Sequence, residues 1–143
     1  MQLGICEEHV YNINNAMQYL EIALNKAVDI SDKKCILKVS KELMRVYETI
    51  AGEYEASQDY ETSLLFYEKC LSATKNAKDI DKEAQCYYKI GIIREKMEDL
   101  EESVVNVNHF LDLVKERQPI DKKKIGRAHN KLAELNSKLG YGV

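Results

Sequence analysis

The chain has 143 residues, 45% of them apolar and 31% charged, with 24 acidic side chains against 21 Lys and Arg for a net charge of −3. That length suits one compact unit, the near-balanced charge gives no footprint for nucleic acid, and no apolar run approaches the ~20 residues needed to span a membrane. One Pro and six Gly leave little room for linkers, and Met1-Gln2-Leu3-Gly4 lacks the basic and apolar regions of a secretory signal.

Apolar residues three and four apart predict helices at roughly 2–10, 14–30, 32–56, 60–77, 81–97, 100–117 and 122–139. The run Asn12-Ile13-Asn14-Asn15 reads as a turn, so the first two helices form a hairpin carrying Gly4 and Ala16 at its close approach. Asp32 offers a side-chain cap to the third helix. That helix carries Tyr47, Ile50, Ala51 and Tyr54 on one stripe and is about two turns longer than its counterparts. Ser57-Gln58-Asp59 turns the chain into the fourth helix, whose stripe is Ser63, Tyr67, Cys70 and Leu71. Asp79 to Asp81 offer caps to the fifth, with Tyr87, Ile90, Gly91 and Arg94. Glu98-Asp99 leads into the sixth, with Ser103, Val107 and Phe110. Pro119 breaks the chain, Asp121 caps the last helix, and Gly140 ends it. That helix keeps an apolar stripe at Ile125, Ala128, Leu132, Leu135 and Leu139. The stripe suggests a cut array, hence a segment of a longer protein, the alternative being that the last helix is itself the cap of the array.

The stripes repeat. Ser63 and Ser103 stand 40 residues apart, as do Ala51 and Gly91. A period in the range of about 20–50 residues marks a stacked array of supersecondary units. The small residues fall where two helices must approach closely, and the bulky ones fill the space beside them. The expectation is an all-α array of antiparallel hairpins, with units at about 1–30, 31–78 and 79–118 and a final helix at 121–140.

No catalytic set stands out. His9, His109 and His129 fall in different units. Glu7-Glu8 and Glu101-Glu102 are adjacent pairs that point different ways on a helix. Gly91 precedes Ile92-Ile93 rather than a phosphate-cradling loop. Cys6, Cys35, Cys70 and Cys86 show no metal-ligand spacing, and Cys70 fills a small core slot. No enzyme, cofactor, metal site or small-molecule substrate is expected. The surface is expected to bind protein. In such an array the first helix of each hairpin lines the concave side. The candidate groove residues are Arg45, Tyr88, Lys89, Lys96, Arg127, Asn130 and Lys131. Lys89, Arg127 and Lys131 would make a positive patch beside Tyr88, suited to an acidic peptide.

Tyr47, Ile50-Ala51, Tyr54, Ser63, Tyr67 and Cys70 resemble the tetratricopeptide repeat motif. That motif has an aromatic, Leu-Gly and Tyr on one helix, then small, aromatic and small residues on the next. Arg94 stands in the Tyr slot of the following unit, and the motif's closing Pro is missing. The resemblance implies a right-handed solenoid of about three repeats plus a final helix, acting as a non-catalytic scaffold. The clamp by which some members grip a C-terminal carboxylate does not carry over. Glu48 and Gly52 stand where Lys and Asn are needed, and Lys89 where Asn is needed. Asp59-Tyr60-Glu61-Thr62-Ser63-Leu64, Leu100-Glu101-Glu102-Ser103 and Phe110-Leu111-Asp112-Leu113 are most similar to a member of the ciliary axoneme. That likeness implies axonemal, dynein-arm or transport proteins as partners in the cilium. A soluble cytosolic adaptor for an acidic peptide is the alternative.

Overall fold

A computed structural model of the protein describes residues 7–140, with side chains from residue 12 onward. The described residues form six α-helices: α1 Glu7–Asp29, α2 Lys33–Ala56, α3 Tyr60–Asn76, α4 Ile80–Lys96, α5 Leu100–Glu116 and α6 Lys122–Leu139. They divide into two compact units, one ending at Asp79 and one beginning at Ile80.

The expected first hairpin is not formed. Asn12 to Asn15 lie inside α1, a single helix that packs against α2. Asn is only a weak helix breaker, costing under about 0.7 kcal/mol relative to Ala. No Gly or Pro interrupts the segment, and the stripe Ile13, Met17, Leu20, Leu24 and Ala27 runs straight through it at helical spacing. Packing of that stripe outweighs the turn preference of the asparagines. Gly4 and the predicted start at residue 2 lie outside the described residues.

In the first unit α2 and α3 form the closest pair, with α1 against α2. Leu43, Met44, Tyr47, Ile50, Leu64, Tyr67 and Cys70 are buried. The expected close approach is present: Ser63 Oγ donates to the Ala51 carbonyl at 2.7 Å, and both residues are 0% exposed. Glu21 of α1 ties the unit together, accepting from the Tyr47 hydroxyl of α2 and pairing with Lys69 of α3 at 3.7 Å. Burial, then the Glu21 bond, pushes the Tyr47 hydroxyl pKa well above the usual tyrosine range; burial and Glu55 do the same at Tyr67.

The second unit repeats the arrangement. Ser103 Oγ donates to the Gly91 carbonyl at 2.6 Å, twelve residues back as before. A Cβ on Gly91 would stand 2.9 Å from Val107 Cγ2. In the first unit the residue 40 positions before Val107 is Tyr67, which is unbranched at Cβ. The core of Ala84, Val107, Phe110, Leu111 and Val114 is closed by Ala128 and Leu135 of α6, with Ile125 and Leu132 beside them. Of the α6 stripe, Ala128 and Leu135 are buried in this unit, and Ile125 and Leu132 are partly buried against it.

One turn recurs four times. Ser31, Gln58, Lys78 and Glu98 are left-handed, with φ between 55° and 66°, and each is followed by Asp. In each case the left-handed residue's N–H bonds the carbonyl three residues back, and the Asp N–H bonds the one five back. This is the Schellman arrangement, here with a side chain where glycine is usual. The Asp then starts the next helix. Asp32 accepts from the Cys35 N–H and Asp59 from the Thr62 N–H, while Asp99 accepts from Arg94 Nη1 at 3.2 Å instead. The junction at 117–121 differs: Arg117 leaves α5 in an extended conformation and grips both oxygens of Asp81 at 2.9 and 3.0 Å. Asp121 caps α6, and Gly140 ends it at φ 82°.

Candidate functional site

A groove of about 650 Å³ in the second unit lies along α6. The core stripe of α6 leaves its other side to Lys123, Arg127, Asn130, Lys131 and Glu134, which line the groove with Gly126. Tyr88 of α4 completes it. Its ring packs on Phe110 at 4.8 Å between centroids, and the Arg127 guanidinium lies 6.0 Å from its centre. The core thus holds the aromatic ring, and the ring's negative face attracts the cation. Gly126 leaves open space where a side chain would stand.

The cations differ in what holds them. Lys131 Nζ lies 2.9 Å from Glu95 Oε1 and 2.7 Å from Glu134 Oε2, with its side chain 17% exposed. Lys138 takes the other Glu95 oxygen at 2.6 Å. Burial opposes ionisation of Glu95, but hydrogen bonds from Lys138 and Lys131 outweigh it and hold the carboxyl below its usual range. Burial likewise works against the Lys131 charge, and Glu134 and Glu95 reverse that, so its pKa is raised. Lys131 is a tie between α4 and α6 whose charge is already met. Among the described residues, Lys123 and Arg127 have no carboxylate partner. Asp121 lies near Lys123, yet its carboxylate is engaged by the Lys123 and Lys124 N–H groups.

No protein-family model matches this chain, and no curated protein does.

The structure brings four of the sequence-derived residues into one groove: Tyr88, Arg127, Asn130 and Lys131. Lys89 and Lys96 are exposed on α4 and do not line it. Arg45 belongs to the first unit. There it pairs with Glu42 at 3.4 Å and borders a separate hollow of about 260 Å³ with Asn12, Ile13, Ala16, Val46 and Thr49. Two contributors escaped the sequence reading. Lys123 stands one turn before Arg127 on the same face, a spacing the sequence carries. Glu95 pairs with residues 36 and 43 positions later, which no local spacing reveals. No helix of the described residues is long and apolar enough to cross a membrane.

Proposed function

We propose that this chain is a non-catalytic protein–protein interaction scaffold of the tetratricopeptide kind, docking a partner segment in the groove along α6. The carrying observation is that groove: a core-held aromatic beside Lys123 and Arg127, with neither cation used to hold the fold. Apolar anchoring on Tyr88 supplies affinity and the cations select the partner. The repeat reading draws support from the two Ser-to-carbonyl bonds 40 residues apart and from the four like turns. In this reading the hairpins stack as a right-handed solenoid.

The resemblance to tetratricopeptide repeat protein 29, an axonemal protein, sets the proposed location in the cilium, among dynein-arm, transport or other axonemal proteins. Proximity labelling in a ciliated cell tests it. Enrichment of axonemal neighbours that is lost with Tyr88→Ala supports the proposal. Labelling of general cytosolic proteins alone refutes the ciliary setting. The two uncompensated cations favour one second reading, a soluble adaptor for an acidic peptide, which needs no cilium.

A further inference from the structure

We infer that the groove reads two side-chain carboxylates at alternating positions of an extended segment lying along α6. This rests on the groove being the docking surface. Lys123 and Arg127 are four residues apart in one helix, so their stems leave the same side about 6 Å apart along the axis. In an extended chain, residues i and i+2 point the same way and stand roughly 6.4–6.8 Å apart. The two repeats agree to within about an ångström. A Glu-x-Glu or Asp-x-Asp segment therefore brings one carboxylate to each cation in charge-assisted contact. Adjacent acidic residues point to opposite sides and present only one.

Two further observations define the ligand. Asn130 lies on the same face, its side-chain amide carrying both donor and acceptor and bonding no described residue. An extended segment has backbone N–H and C=O groups to offer such an amide, whereas a helix has already paired its own. Beyond Asn130 the character changes. Lys131 is neutralised by Glu95 and Glu134, and Glu134 itself is half exposed. A third carboxylate further along would meet Glu134 and be repelled. The groove thus fits two acidic residues rather than a long acidic tract.

The test is an NMR titration of the whole chain with short capped peptides of one composition, carrying either Glu-Ser-Glu or Glu-Glu-Ser. The expected result is that amides of 123–134 shift with both, with Glu-Glu-Ser binding about fivefold more weakly, the loss of one exposed charge-assisted contact. Arg127→Gln is expected to abolish the preference, and Lys89→Gln to leave it intact. Equal affinity for the two peptides, with shifts confined to the groove, overturns the alternating reading and leaves the docking surface standing. Absence of groove shifts with either peptide, while proximity labelling still depends on Tyr88, overturns the inference alone. Absence of both overturns the docking surface with it.

Discussion

Replacing Gly91 by Ala tests whether the second hairpin is limited by one side-chain contact. Alanine in a helix interior gains about 1 kcal/mol over glycine. Against this, the new Cβ would stand 2.9 Å from Val107 Cγ2, closer than real contacts allow. Val107 is fully buried and branched at Cβ, so it has one comfortable rotamer in a helix and no room to turn. Overpacking of this kind costs about 1–3 kcal/mol, and the stiff neighbour places it at the upper end. The net expectation is a loss of about 2 kcal/mol, lowering the melting temperature by roughly 8 °C for a chain of this size. Thermal and urea denaturation followed by circular dichroism measure it. The decisive step is a cycle with Val107→Ala. In that background the obstructing carbon is gone, and Gly91→Ala is expected to stabilise by about 1 kcal/mol through helix propensity. The same effect in both backgrounds, or a stabilising change in the native sequence, would refute the argument that Val107 sets the size limit.

Ser63→Ala and Ser103→Ala each remove a buried hydroxyl bonded to a carbonyl across a hairpin, and each should cost about 1 kcal/mol in urea denaturation. Glu95→Gln should cost about 2 kcal/mol near neutral pH, because it weakens both lysine contacts. The pH dependence follows from the depressed Glu95 pKa. Its contribution is fully present above the ordinary glutamate value of about 4.3 and is lost as pH falls through the lower folded value, so stability-versus-pH curves of the variant should lack that acid limb. Tyr47 and Tyr67 have raised values, so their contribution is present below the ordinary tyrosine range and lost as pH rises above it; Tyr67→Phe should flatten the alkaline limb of the same curves. Gln58→Gly places glycine at a left-handed position and should raise stability by about 1 kcal/mol, read as a higher urea midpoint.

The helices from Lys33 onward were legible because their stripes, caps and turns agree. The close approach at Ala51–Ser63 and Gly91–Ser103 was legible because only small residues permit it, and their shared 40-residue step exposed the pattern. The Asn12–Asn15 segment misled for the opposite reason: a local turn preference stood against a longer stripe, and packing decided. At the site, Arg127, Asn130 and Lys131 could be grouped because a helix face places residues three and four apart together, while Tyr88 of another helix joined them only through the expected concave face. The charge state of the patch was not legible. Lys131 looks like a ligand-binding cation until Glu95, a residue of another helix, is seen to hold it. Arg45 illustrates the same limit, since local spacing does not reveal that it belongs to a different compact unit from the α6 residues.

The four left-handed turns also make the chain divisible. Gln58, Lys78 and Glu98 are spaced 20 residues apart, and each leaves the backbone in the same state before an Asp. One helix with its turn is then a cassette whose two ends match. Two such cassettes make a helix pair like α2–α3 or α4–α5, which pack against each other within their own units. Recombination at these junctions in steps of two would rejoin like to like, leaving the hydrogen bonds of the splice point unchanged. A chain of this kind can lengthen or shorten by duplication and deletion without inventing a new connection.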